Sequence, residues 1–222
     1  MSIIAFIPAR SGSQRFKRKN YHDFWNGYNL SQIMAFKCID TKLFDRIVIT
    51  SDDDYFEKCA KDIGVEFFLR EEKYCTAEAS SDMVTEHLFN NFKCDYALKL
   101  INMNPLQTVK DISVCVETLT TCDTVMPVNR MQKQALFRGQ PLNYDPRAPH
   151  AQTQDLEPYY QWSYSSFGHK RDTYLESRKQ GLKGMLFGDV KYPEVSTQAA
   201  MAIKTKEDFE FLKTIYSMLK TT

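Results

Sequence analysis

Five basic residues stand within ten positions near the start of the chain: Arg10, Arg15, Lys17, Arg18 and Lys19. They follow an apolar run, IIAFI (3–7), and a turn of small residues, Ser11, Gly12 and Ser13. A strand ending in such a turn aims several backbone N–H groups at one point. A nest of that kind holds phosphate oxygens, above all at the carboxyl end of a parallel sheet. Arg10 would add a two-pronged clamp and Lys19 a mobile point charge. The chemistry on offer is capture of a phosphorylated anion. Charge alone favours a plainer alternative, a solvated basic surface loop. The spacing is neither G-x-x-x-x-G-K-[ST] nor G-x-G-x-x-G, which sets those two phosphate loops aside.

Other chemistry-bearing residues are sparser. Asp52, Asp53 and Asp54 follow a strand-like run and read first as a capped turn opening the next helix. Asp208 reads as a helix-start residue and only weakly as a metal ligand. The aromatic run EPYYQWSYSSF (157–167) suggests a strand with rings on both faces. Those rings would stack on a sugar or base, or form a subunit contact, the reading favoured for part of them. The six cysteines (38, 59, 75, 94, 115, 122) are dispersed with no C-x-x-C pair, which points to reduced thiols in a cytoplasmic protein.

The elements that must position these residues alternate. IIAFI (3–7), RIVIT (46–50), VEFFL (65–69), YALKLI (96–101) and DTVMPV (123–128) read as buried strands, by length and β-branched or aromatic content. Helix-like stretches lie between them at 31–41, 55–64, 81–92 and 111–121, the second ending in Gly64 and the fourth capped by Asp111. Strand and helix in alternation with short connections predict a largely parallel sheet covered on both faces. From 129 to 170 the rhythm breaks into a segment rich in Pro, Gln, Tyr and Arg, an excursion from the sheet. The segment 204–220 is an amphipathic closing helix, with apolar residues at 209, 211, 212, 215, 216, 218 and 219.

Composition bounds the rest. A chain of 222 residues suits one α/β domain, and a net charge of +1 gives no reason to expect nucleic acid as a partner. No apolar run approaches the roughly eighteen residues of a membrane span, and the MSIIAFIPAR start lacks the pattern of a signal peptide.

The stretch IPARSGSQRFKRKN resembles the opening loop of the acylneuraminate cytidylyltransferase family, which typically reads A-R-x-x-S-K and then K-N. The likeness continues through FDRIVITSDDDYFEKCAKDIGVEFFLREEKYCTAEASSD, NPLQT and TQDLEPYY, and is densest over about the first 125 residues. It implies a three-layer, Rossmann-like nucleotide-diphospho-sugar transferase fold with a mostly parallel central sheet. A single domain would span 1–222, with 129–170 as a dimerisation and acceptor-binding excursion. It also implies CTP over the opening loop, magnesium as cofactor, and a homodimer. By position, Arg10 and Lys19 would hold the CTP phosphates, with Ala9, Ser11, Gly12, Ser13 and Gln14 forming the loop around them. Asn20, Arg70, Ser80 and Ser81 would line the cytidine pocket. The implied reaction is attack of an acceptor oxygen on the α-phosphorus with loss of pyrophosphate, activating an acidic sugar for surface-glycan synthesis.

The sequence departs from the family where the metal and acceptor are expected. The usual D-I-D-T-x-x-D, whose first two aspartates bind magnesium, is here Ala202-Ile203-Lys204-Thr205-Lys206-Glu207-Asp208. Lys204 becomes a candidate catalytic cation, since an ammonium group cannot ligate magnesium. The family's L-Q-P-T-S-P-L-R-T becomes LINMNPLQT (100–108), with Ile101 for glutamine and Gln107 for arginine. Thr153 replaces the arginine before Q-x-L-P, and Gln161-Trp162-Ser163-Tyr164 replaces R-x-N-G. The polar residues remaining on that side, Asn102, Asn104, Gln107, Gln154 and Gln161, are the candidates to meet the acceptor. Loss of the arginine forks argues against ordinary sialic acid. Two alternatives stay open: a phosphorylated acceptor giving a CDP-linked product, and a non-catalytic nucleotide-binding homologue.

Overall fold

A computed structural model describes residues 1–76, 78–182 and 185–221. The first four apolar runs form β1 (Ile3–Pro8), β2 (Arg46–Ser51), β3 (Glu66–Leu69) and β4 (Tyr96–Leu100). Helices α1 (Leu30–Thr41), α2 (Tyr55–Asp62), α3 (Ser81–Asn91) and α4 (Val109–Leu119) fill the connections, followed later by α5 (Arg171–Lys179) and α6 (Lys206–Thr221). Three short strands complete the sheet: β5 (Thr124–Val125), β10 (Ser166–Lys170) and β11 (Val190–Lys191). Outside it lie β6 (Val128–Met131) paired with β9 (Tyr159–Trp162), and a small hairpin of β7 (Leu136–Phe137) and β8 (Gln140–Pro141).

The central sheet has seven strands in the order β11-β5-β10-β4-β1-β2-β3, with only β10 antiparallel to its neighbours. This is the largely parallel sheet the alternation predicts, in the Rossmann-like arrangement the resemblance implies. β1 shows why its strands carry no polar alternation. Ile3, Ala5 and Ile7 pack with Met34, Cys38 and Ile112 on one face, while Ile4 and Phe6 pack with Leu88, Phe89 and Tyr174 on the other. A third cluster seats α6 through Phe209, Leu212 and Tyr216 against Phe24, Leu30 and Ile33. The closing helix is therefore amphipathic, although Phe211, Met218 and Leu219 remain exposed.

Helix ends follow local chemistry. Asn29 caps α1 in a reciprocal box with Gln32. Gly64, two residues past α2 with φ of 71°, takes the left-handed conformation that ends the helix. The cap of α4 differs from expectation: Thr108 is the capping residue, and Asp111 answers it from the third helical position. Asp111 also binds the Ser196 amide and hydroxyl, which is why it sits inside the helix.

Two further differences concern the middle of the chain. The expected strand 123–128 breaks after Val125. Pro127 has no N–H for a ladder, and its carbonyl accepts the Ser163 N–H as the chain turns out of the sheet. The 129–170 excursion ends earlier than its sequence suggests, because 166–170 is β10, inserted between β4 and β5. Gly168 permits that insertion: a Cβ there would lie 2.9 Å from Leu119 Cδ2 on α4.

Candidate active site

The opening loop leaves the carboxyl end of β1 and is fastened by carboxylates and amides rather than left to solvent. Asp52, just past β2, accepts the Ser11 amide at 2.8 Å and the Ser11 hydroxyl at 2.5 Å. Burial pushes the Asp52 carboxyl up, but the Ser11 hydroxyl and amide outweigh it and hold it below the usual carboxylate range. Asp53 accepts the Tyr21 hydroxyl and the Tyr55 amide. The aspartate run is thus a turn that anchors the loop. Asn20 donates to the Arg10 carbonyl at 2.9 Å and accepts from Asn102 at 3.1 Å, tying the loop to the segment after β4.

These ties frame a cleft of about 370 Å³ over the ends of β1 and β4. Among the described residues six cationic ones line it, Arg10, Arg15, Lys19, Arg70, Lys99 and Lys204, and no aspartate or glutamate does. Arg10 donates to the Thr76 carbonyl at 3.1 Å. Lys19, 5% exposed, donates to the Ile203 carbonyl at 2.9 Å. Burial, and then the charges of Arg15 and Arg10, push its ammonium down to about 8 despite Asp208. Arg70, 4% exposed, donates to the carbonyls of Tyr74 and Thr50, while its Nε has no partner. Lys99 lies beneath the first turn of α3, donating to the Ser81 carbonyl and hydroxyl and to the Thr85 hydroxyl. Burial brings it, too, down to about 8. Both lysines remain mostly protonated at neutral pH.

Of the residues singled out in the sequence, Arg10, Gly12, Ser13, Gln14, Lys19, Asn20, Arg70, Ser81, Asn102 and Lys204 line the cleft. Others do not. The Ser11 amide and hydroxyl both donate to Asp52 and so anchor the loop, and Ser11 is not among the residues lining the cleft. Ala9 is fully buried, donating its amide to Thr50. Ser80 caps α3 by accepting the Met83 amide. On the acceptor side, Asn104 donates to the Ala199 carbonyl and Gln107 is wholly buried beside Ser165. Gln161 sits in β9 opposite Asn129, and Gln154 pairs with Gln152; neither lines the cleft. Lys99 escaped sequence reasoning, although a lone lysine inside YALKL, a strand buried on both faces, was its signal.

The magnesium implied by resemblance finds no donor set here. Ala202 and Lys204 stand where carboxylates were expected, and Asp208 spends Oδ2 on the amides of Lys204 and Thr205, as a helix-start residue does. Among the described residues, no group of three His, Cys, Asp or Glu side chains is placed to hold a metal ion. Magnesium is usually held by one or two carboxylates together with phosphate and water. Among the described residues the cleft lining supplies no carboxylate, only amide and hydroxyl oxygens amid ammonium and guanidinium groups.

Comparison with known proteins agrees with this architecture. A sequence model of the family described as Cytidylyltransferase matches residues 4–221. The N-acylneuraminate cytidylyltransferase of Escherichia coli O18:K1:H7 is 28% identical over 137 residues, covering 59% of this chain and 32% of that protein. A pseudaminic acid cytidylyltransferase of Campylobacter jejuni is 33% identical over 88 residues, covering 39% of this chain and 38% of its own length. Each match thus spans less than two-fifths of the curated relative. Among solved structures, CMP:2-keto-3-deoxy-manno-octonic acid synthetase complexed with CTP superposes with a TM-score of 0.75 at 13% identity, over 98% of this chain and 99% of that one. The 4-diphosphocytidyl-2C-methyl-D-erythritol synthase of Anaerococcus prevotii gives 0.67 at 12%, over 97% and 98%. At such identities these likenesses speak for the fold. With the family matched along nearly its whole length, the chain belongs to the cytidylyltransferase family, as a divergent member.

Proposed function

We propose that this protein transfers the cytidylyl group of CTP to an acidic sugar of the nonulosonic or deoxy-octulosonic kind, supplying surface-glycan synthesis. The observation that carries this reading is the cleft itself: among the described residues six cationic side chains and no carboxylate line it, at the carboxyl end of a mostly parallel sheet, in a chain the family spans from 4 to 221. The named activities of the N-acylneuraminate and pseudaminic acid relatives support the acceptor class.

In this reading Arg10 and Lys19 hold the triphosphate, with Gly12, Ser13 and Gln14 closing over it. Arg70 and Ser81 line the nucleoside side. An acceptor hydroxyl oxygen bonds to the α-phosphorus while the bond from that phosphorus to the bridging oxygen breaks. Pyrophosphate leaves with the electron pair, and the hydroxyl proton passes to solvent. Little covalent chemistry falls to the protein; fixed cations that meet charge as it shifts to the leaving group do most of the work.

Pyrophosphate release from CTP, measured with nonulosonic acids, Kdo and phosphorylated small acceptors, tests the reading. CTP binding without turnover on any of them would defeat the activity and leave a nucleotide-binding homologue. A second reading, transfer to a phosphorylated acceptor, draws on the loss of arginine forks around Gln107, Thr153 and Gln161, and mass spectrometry separates CDP-linked from CMP-linked product. For the 129–170 excursion we propose a role in homodimer formation, because Leu136, Phe137, Tyr160 and Tyr164 are more than half exposed there. Sedimentation of Tyr160→Ser/Tyr164→Ser against the unaltered chain checks it. The six free thiols suit a cytoplasmic setting.

A further inference from the structure

The family is read as magnesium-dependent, yet the cleft is charged in the opposite sense from a metal site. Every ionisable side chain in its lining apart from the Tyr74 phenol is a lysine or arginine. None of the six enters any ion pair found among the described residues. The nearest carboxylates are engaged elsewhere: Asp52 with Ser11, Asp208 with the turn before α6, and Asp82 with the Tyr174 hydroxyl.

Two of these cations are held where an unpaired charge is costly. The Lys99 ammonium is buried against the first turn of α3, the end of a helix that favours anions and disfavours cations. The Arg70 guanidinium is buried, hydrogen-bonds only to carbonyl oxygens with Asp52 acting on it from a distance, and keeps an unpartnered Nε. A protein that leaves such charges without an ion-pair partner, with Asp82 and Asp52 acting on them only from a distance, is arranged for a ligand bringing further compensation with it. A bare nucleoside triphosphate carries about four negative charges near neutral pH, and its magnesium complex about two. A divalent cation entering with the ligand would meet six like charges and no protein carboxylate in the lining.

Resting on the reading of this cleft as a CTP site, we propose that it takes the nucleotide as the bare triphosphate anion, with Lys204 at the open side as a protein-borne substitute for a metal. Magnesium then competes with the protein for the phosphates instead of assisting their binding. Lys204 is exposed and lines the cleft at the position where the resemblance placed a metal-binding aspartate.

Isothermal titration of CTP into the full chain at pH 7, in EDTA and in excess magnesium at matched ionic strength, tests this. Binding is expected to be about tenfold tighter in EDTA. Affinity in magnesium equal to or better than in EDTA overturns the proposal while leaving the CTP site intact. No binding in either buffer, with the fold verified by circular dichroism, overturns the CTP reading and this inference with it. In Lys204→Ala, a surface change, the EDTA-to-magnesium ratio is expected to shrink about threefold. An unchanged ratio removes Lys204 from the role.

Discussion

The two ends of the central sheet treat charge in opposite ways. At the amino end, charges and free amides meet carboxylates. Arg46 grips Glu66 through two hydrogen bonds of 2.7 and 2.6 Å, and Lys170 approaches Asp123 at 3.8 Å. Asp45 accepts the Ile3 amide, and Asp95 that of Ser2. At the carboxyl end, six cations among the described residues converge on one cleft with no acid in its lining. The same strands thus carry a self-neutralised edge and an edge left positive. Pairing marks where the fold is completed; its absence marks where a ligand is expected to complete it.

The largest effect is expected from Lys19→Ala. Removing a buried cation from the phosphate side is expected to lower pyrophosphate release by about 10²- to 10³-fold. A loss below tenfold would mean that the positive edge is not where the chemistry runs.

Lys99→Met sharpens the contrast, because it moves binding and stability in opposite directions. CTP affinity is expected to drop roughly tenfold with the lost charge. The free protein is expected to gain stability, at most ~3 kcal/mol, since burial lowers the Lys99 ammonium from 10.5 to about 8. Its folded-state value lies below the unfolded one, so the cost of burying the charge is fully present below pH 8. That cost is relieved as pH rises toward 10.5. Thermal melts of the two proteins therefore converge between pH 8 and 10, and parallel melts would contradict the assignment. Arg70 and Asp82 act on Lys99 from neighbouring elements and are unchanged in the comparison.

Ser11→Ala removes the hydroxyl's hydrogen bond to Asp52. A loss of about 1 kcal/mol in stability is expected, with a several-fold weaker CTP affinity read by titration. Arg46→Ala, at the paired edge, is expected to cost no more than about 1 kcal/mol and to leave CTP binding unchanged. A clear loss of affinity there would erase the distinction between the two edges.

Legibility in the sequence follows the same physics. β1, β2 and β4 could be read because strands covered on both faces must be largely apolar, and IIAFI, RIVIT and YALKLI are close to that. β3, an edge strand with Leu69 exposed, could be read from the aromatic and β-branched content of VEFFL. β10 could not, since SFGHK joins a glycine and a histidine whose fitness depends on Leu119 and the strands on either side. α5 buries only Tyr174, so no 3.6-residue apolar rhythm announces it. The basic loop could be located from its place after β1. The direction of Ser11 could not, because its partner Asp52 lies 41 residues away. The acceptor candidates Gln107, Gln154 and Gln161 rest on polarity at positions in register with the family's acceptor motifs, and register does not reveal that the first is buried and that the others lie outside the cleft.

Ile203 joins distant stretches of the chain at a single residue. Its amide donates to Met103 at 2.8 Å, its carbonyl receives the Lys19 ammonium, and its side chain is buried with Phe24 and Phe209. A nascent chain that has already made all seven strands still lacks the oxygen that seats Lys19. The seating of Lys19 therefore depends on chain that lies beyond the last strand of the sheet, since Ile203 follows β11.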